Sequence, residues 1–312
     1  MPSRVACLFP TFPMRQSDFE PDRVPGFPAA VDRLAARAAG IVSIGPHTFD
    51  RPGLASPSVS AELTLQAHYA CYIENLAMAE LWQRHYPPCH YVAGYSMGMF
   101  AALCHSGALS FDDGLRLMHA IVVATPTVIA PGPYAMGVVE GISADEVGRH
   151  LAASGPDLEI TDVYAPRTIL VSGRLNSVAR LLEQCAPVEG VVDTLLIPVG
   201  APFHSSALRP MGAIIRQLLA DVPVHRPRCA VLSPITQQIL TSPDDIRQEV
   251  ADNVSHTMGW YATVRALVDV GVDVMLECGA SVRLTEHARR NVPGTCTIQD
   301  YRDFEHLFAA AP

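Results

Sequence analysis

No stretch of 18 or more consecutive apolar residues occurs, which excludes a membrane-spanning helix. The first residues, Met1 to Phe9, pass directly into a strand-like segment without the long apolar stretch and small-residue cleavage site of a secretion signal, so a cytoplasmic location is expected. Cysteine is present but never as a C-x-x-C pair. Cys7, Cys71, Cys89, Cys104, Cys185, Cys229, Cys278 and Cys296 are scattered, mostly within apolar segments, and no Cys/His group has metal-ligand spacing. Buried thiols in a reducing compartment, and no metal, are the expectation. Basic residues are also scarce: 22 Lys and Arg against 31 Asp and Glu leave a net charge of −9, which argues against nucleic acid as a general partner. Internal repeats and low-complexity tracts are missing as well.

What remains is a chain of 312 residues, 49% hydrophobic, enough to build a large α/β domain with an insertion. Residues 4 to 9 read as a short buried strand. Residues 13 to 60 are rich in Pro, Ser and Asp, with one helical stretch near Val31–Arg37, and a long helical pattern follows from Glu62 to Arg84. A strand over Cys89–Ala93 leads into Gly94-Tyr95-Ser96-Met97-Gly98, and a helix opens at Met99. A G-x-S-x-G at a strand-to-helix turn is a nucleophile elbow. Its glycines permit a sharp turn that exposes the serine hydroxyl, and the new helix aims free N–H groups at developing negative charge. Ser110, with Asp112 and Asp113 in the first turn, caps a further helix over Phe111–Ala124.

After a Pro/Gly linker at Pro126–Pro133 the pattern changes. Strand (Tyr134–Val139), helix (Ala144–Ala153), strand (Leu158–Val163), strand (Thr168–Ser172), helix (Asn176–Cys185) and strand (Val191–Pro198) give the βαββαβ order of a ferredoxin-like unit. The chain then reads helix (Leu208–Ala220), strand (Cys229–Leu232), helix (Trp260–Val270), strand (Asp273–Glu277) and helix (Val282–Arg290). The fold class is α/β. Residues 1–131 and 200–312 form the large unit, and residues 132–199 the inserted small one.

A serine nucleophile needs a base and a place for the oxyanion. Among 12 histidines, His204 stands out, in a Gly- and Pro-shaped loop directly after the last inserted strand. An α/β-hydrolase would instead order its triad Ser, Asp, His, requiring Asp244 or Asp245 with His256. That fold has no ferredoxin-like insertion between elbow and histidine, and no His-Gly-Gly segment precedes Ser96.

Elbow, insertion and Pro202-Phe203-His204 together resemble the malonyl-CoA:acyl-carrier-protein transacylase family, which includes the trans-acting acyltransferases of polyketide synthesis. The likeness extends through Ala101-Ala102-Leu103, Gly107–Phe111, Ala135-Met136, Val171-Ser172-Gly173, Ala201–Ser205 and Glu277-Cys278-Gly279. It implies a large, hydrolase-like α/β subdomain with a parallel sheet core and a Ser–His pair, Ser96 and His204, working by ping-pong acyl transfer. It also implies an oxyanion hole from the N–H groups of Met97 and, by position, Phe12. The histidine would be oriented by backbone carbonyls near Ser233-Pro234. Acyl-carrier proteins and an acyl thioester are the implied partners. The phosphopantetheine arm, or CoA, is the implied co-substrate, and no permanently bound cofactor is expected.

Departures from the family pattern concern the substrate. Phe9-Pro10-Thr11-Phe12-Pro13 replaces the usual Phe-Pro-Gly-Gln-Gly, Tyr95 replaces a histidine, and Met99 replaces a glutamate. Counting without gaps from Ser96, the arginine that grips a malonyl carboxylate is replaced by Ile121, and no arginine occurs between positions 117 and 148. Tyr95, Ile121 and Phe203, with Met97, Met99 and Phe12, are expected to line a wider, more apolar acyl pocket. Arg289, Arg290, Arg283 and Arg209 are expected to face an acidic carrier protein. The implied function is transfer of a non-malonyl acyl group, such as an amino-acyl or peptidyl starter in a macrolactam pathway. The alternatives are an acyl-carrier-protein hydrolase on the same fold and a catalytically silent docking protein.

Overall fold

The computed structural model describes residues 3–11, 24–45, 48–49, 61–292, 294 and 296–304. Its centre is a six-stranded sheet of order β10-β9-β1-β2-β7-β8. The strands are β1 (Val5–Phe9), β2 (Tyr91–Gly94), β7 (Ala230–Leu232), β8 (Ile239–Leu240), β9 (Val274–Glu277) and β10 (Thr297–Gln299). All pair in parallel except β8, which runs antiparallel to β7. Strand β1 is central, with Phe9 opposite Gly94 and Leu8 opposite Glu277, so the chain after β1, the elbow and the turn after β9 emerge side by side. Both faces of β1 are buried, as a covered parallel sheet requires. Val5, Cys7 and Phe9 pack among the helices α1 (Phe27–Ala39), α2 (Ala61–His85), α3 (Gly98–His105) and α4 (Phe111–Ala124). Ala6 and Leu8 face Trp260, Val264 and Leu284 of α9 (Trp260–Asp269) and α10 (Arg283–Asn291).

A second sheet, antiparallel and of order β4-β5-β3-β6, is built from β3 (Tyr134–Glu140), β4 (Glu159–Ala165), β5 (Thr168–Arg174) and β6 (Asp193–Val199). Alternation divides its side chains. Ala135, Val139, Ile169 and Val171 pack under α5 (Ala144–Ser154) and α6 (Leu175–Cys185). Met136, Leu170 and Ile197 turn the other way and share a core with Tyr95 and Trp260. The elbow therefore faces a cleft between the two sheets.

The cap read at Ser110 is present: its Oγ accepts from the Asp113 N–H at 3.0 Å. Among the strands and α-helices of the described residues, β8, β10 and α8 (Pro243–Asp252) escaped the sequence reading. The signal for α8 was there, since Ser242-Pro243-Asp244-Asp245 forms a capping box with proline in the first turn. No helix among the described residues is long and apolar enough to cross a membrane.

Candidate active site

Ser96 stands where the chain has no room for side chains on either side of it. A Cβ on Gly94 would lie 2.3 Å from the Met99 Cα, and one on Gly98 would lie 2.2 Å from the Phe9 carbonyl oxygen. Glycine at both positions lets α3 start directly against β1 and β2. Ser96 between them has φ 53°, a left-handed backbone rarely adopted by residues with a side chain, which costs about 1–3 kcal/mol that the surrounding packing must sustain. The Tyr95 N–H donates to the Phe9 carbonyl at 2.8 Å, locking the turn to the neighbouring strand.

Ser96 Oγ lies 2.8 Å from His204 Nε2. His204 is also in left-handed backbone, at φ 61°, and its own N–H donates to the Val254 carbonyl at 2.8 Å. Its Nδ1 donates to the Asn253 carbonyl oxygen at 2.8 Å, which leaves Nε2 as the lone-pair nitrogen facing the serine hydroxyl. Burial pulls His204 down to about 4, so the imidazole is neutral at physiological pH.

The expected orienting carbonyl near Ser233-Pro234 is corrected. Asn253, directly after α8, supplies it, and its side-chain Nδ2 also reaches the Ser96 carbonyl at 3.4 Å. Ser233 acts one step further out. Its hydroxyl donates to Glu249 Oε2 at 2.7 Å and accepts from the N–H groups of Ile235 and Thr236, joining the end of β7 to α8. Burial raises Glu249 to about 7. The rival triad does not assemble: Asp245 caps α8, and His256 bonds locally to Asp252 and Ser255.

A cavity of about 600 Å³ opens at the pair, lined by Thr11, Thr64, His68, Tyr95, Met97, Met136, Pro198, Val199 and Phe203 together with Ser96 and His204. No Lys, Arg, Asp or Glu is among these. His68 was missed from the sequence because nothing in its helical surroundings marks it. It is buried, with Nδ1 2.7 Å from the Thr64 carbonyl, and burial lowers it to about 4. At neutral pH the described residues of the cavity wall thus carry no formal charge.

The remaining expected site residues fall out unevenly. Tyr95 and Phe203 line the cavity, whereas Ile121 does not. It lies at 1% exposure on the apolar face of α4, with Leu117 and Met118, in the helical core. Met99 is likewise buried in that core. The Met97 N–H, at the start of α3, donates to none of the described residues and is available to an oxyanion, while Phe12 lies outside the described residues. The turn just before it is held by α2, where Asn75 Nδ2 donates to the Pro10 carbonyl at 2.7 Å.

Among the arginines, Arg289 is exposed and pairs with Asp300 and Asp303, at 2.9 and 3.0 Å. Arg283 lines a second cavity of about 730 Å³ between the sheets, which shares Thr11 and Tyr95 with the first. Arg209 and Arg290 are exposed and make no ion pair with the described residues.

Tyr95 divides the two cavities. Its ring meets Tyr164 and Trp260 edge-on, at centroid distances of 5.2 and 5.3 Å. The buried Asp162 on β4 accepts from the Trp260 N–H at 3.0 Å and is raised to about 7 by burial.

A strained serine on a strand-to-helix turn, a histidine fixed by a main-chain carbonyl and a covered cleft define a serine acyl-transfer enzyme. The acyl transferase domain model matches residues 63–295, most of the chain, and the chain belongs to that family of acyltransferases. It is 28% identical over 204 residues to the polyketide biosynthesis protein ThaF of Burkholderia thailandensis, covering 65% of this chain but only 17% of that protein's length. It is 24% identical to the malonyl CoA-acyl carrier protein transacylase of Escherichia coli O157:H7, covering 76% of this chain and 77% of that one. In fold it is similar to the malonyl CoA-acyl carrier protein transacylase of Coxiella burnetii. The TM-score is 0.85 at 20% identity, over 99% of this chain and 97% of that one. A malonyl-transacylase solved in complex with a type II polyketide acyl-carrier protein gives a TM-score of 0.82 at 22% identity, over 96% of each chain.

Proposed function

We propose that the chain transfers an acyl group without a free carboxylate between acyl-carrier proteins, or from CoA to a carrier protein, through an ester on Ser96. Ser96 Oγ attacks the thioester carbonyl while its proton passes to His204 Nε2. The Met97 N–H faces the oxyanion, and the departing thiolate takes the proton back from His204. In the second half the phosphopantetheine thiol gives its proton to His204 and attacks the Ser96 ester. The alkoxide of Ser96 then recovers the proton, restoring the resting pair. The Asn253 carbonyl stabilises the imidazolium that exists between these transfers.

One observation carries the choice of cargo: the described residues of the cavity wall include no charged side chain. A malonyl carboxylate placed beside Met97, Met136, Val199 and Phe203 would lose its water with no guanidinium or ammonium among the described lining residues to replace it, at a cost of several kcal/mol. The position counted as the family's arginine is apolar, and its side chain belongs to the core. ThaF and the transacylase relatives support a carrier protein as acceptor and a polyketide setting. Of the four arginines expected to face an acidic carrier, Arg209 and Arg290 are exposed and make no ion pair with the described residues.

Intact-mass measurement after incubation with a panel of acyl-carrier-protein and CoA thioesters tests this reading. The expected result is a mass gain on Ser96 with neutral acyl groups, passed to a second carrier protein. Efficient malonyl loading would overturn the cargo assignment, and release of free acid without acceptor loading would replace transfer by hydrolysis.

A further inference from the structure

At the opposite end of the parallel strands from Ser96, residues far apart in sequence bring thiols and an imidazole together. Cys7 lies within β1, Cys89 just before β2, Cys229 directly before β7, and His105 is the last residue of α3. Cys89 Sγ is 3.3 Å from His105 Nε2 and 3.7 Å from Cys229 Sγ. The sulfurs of Cys7 and Cys89 and a ring nitrogen of His105 all lie within 4.8 Å of one another. A tetrahedral zinc ion with usual bond lengths separates two thiolate sulfurs by about 3.8 Å, and a sulfur from an imidazole nitrogen by about 3.6 Å. The Cys89–His105 and Cys89–Cys229 separations already stand close to those spacings, and Cys7 lies within 4.8 Å of Cys89 and His105.

We propose that Cys7, Cys89, Cys229 and His105 form a zinc-binding site. The donor set of sulfur and imidazole without carboxylate or carbonyl selects a thiophilic ion over magnesium or calcium. Cys229 closes the coordination by turning its sulfur from Cys89 toward the shared centre. The Gln83 amide, 3.4 Å from His105 Nε2, gives way. Binding is charge-balanced without oxidant: three thiols release three protons to solvent, neutral His105 donates its lone pair, and the Cys3His complex carries one net negative charge. The Arg228 guanidinium, with Nη2 3.5 Å from the His105 carbonyl oxygen, sits beside that charge. The ion has a way in, because half-buried Cys89 and Cys229 line a surface cavity of about 1400 Å³ together with Arg228 and His90. Four protein ligands leave no open position, so the site is structural. It would fasten β1 to the lead-ins of β2 and β7, the strands whose far ends carry the elbow and Ser233. The expectation of no metal came from sequence spacing, and the fold supplies a proximity that spacing did not show.

The full chain purified from zinc-supplemented culture and dialysed against a weak chelator tests the site by elemental analysis. About one zinc per chain is expected, falling at least about ten-fold in the Cys89→Ser/Cys229→Ser double variant and in His105→Asn. Replacement by cobalt(II) is expected to give the thiolate charge-transfer and tetrahedral ligand-field bands, lost in the same variants. The single variant Cys229→Ser, still acylated on Ser96, shows that loss of the metal is not loss of the fold. Absence of both zinc and the cobalt spectrum in the parent protein overturns the proposal. So does equal zinc in the variants, or a Cys89–Cys229 disulfide in metal-free protein.

Discussion

Ser96 and His204, the proposed nucleophile and base, both sit in left-handed backbone, and they are held there by different means. Ser96 is confined by enclosure: glycines on either side admit main chain to within van der Waals contact, and any Cβ would collide with Phe9 or Met99 backbone. His204 is confined by hydrogen bonds, its N–H to the Val254 carbonyl and its Nδ1 to the Asn253 carbonyl, both contributed by the chain leaving α8. Enclosure tolerates no change of residue. Carbonyl acceptors are indifferent to the side chains of the residues that supply them.

That contrast sets the order of expected effects. Ser96→Ala removes the atom that carries the acyl group, so no acyl-enzyme should be seen by intact mass and turnover should fall by about 10⁵-fold or more. His204→Gln keeps a side chain of similar reach but no base, and initial rates of loading should drop about 10²–10⁴-fold with a normal melting curve. Gly98→Ala should break the enclosure itself, costing about 3–5 kcal/mol in urea denaturation or preventing folding. A melting curve like that of the parent protein would show that the elbow can relax, contrary to the picture here. Asn253→Ala, by contrast, removes only the 3.4 Å contact to the Ser96 carbonyl and keeps the main-chain acceptor, so activity should fall less than about ten-fold. A loss as large as that of His204→Gln would mean that the side chain, rather than the carbonyl, does the orienting. Finally, the base is active when neutral. With His204 held at about 4, the rate constant for Ser96 loading should rise through pH 4 and stay level from about pH 6 upward.

The Ser96–His204 pairing was legible in the sequence and its support was not. Gly94–Gly98 announces a tight turn by composition, and the alternation over residues 134–199 announces strands and helices whose observed order matches. Asn253 has no such mark, because any residue presents a carbonyl. It became visible only once Ser242–Asp245 was seen to start a helix ending beside His204. Ile121 shows the converse limit. Counting along a chain fixes a position in an alignment, but the rotation of α4 decides that its side chain joins Leu117 and Met118 rather than the cavity. Arg289 shows a related limit, since its pairing with Asp300 and Asp303 of the following segment depends on a proximity that the fold supplies.

The groups buried around the cleft have a collective effect on proton uptake. His68, His204 and His287 are each lowered to about 4 by burial, while Asp162, Glu249 and Glu277 are each raised to about 7 by burial. Between about pH 4 and 6.5 the unfolded chain binds protons on those histidines that the folded chain refuses, so they make stability rise with pH. Over nearly the same interval the folded chain keeps protons on the three carboxyls that the unfolded chain has released, so they make stability fall with pH. Three sites act in each direction. Their slopes oppose one another, so these two sets of groups offset each other in the pH dependence of stability across the mildly acidic range.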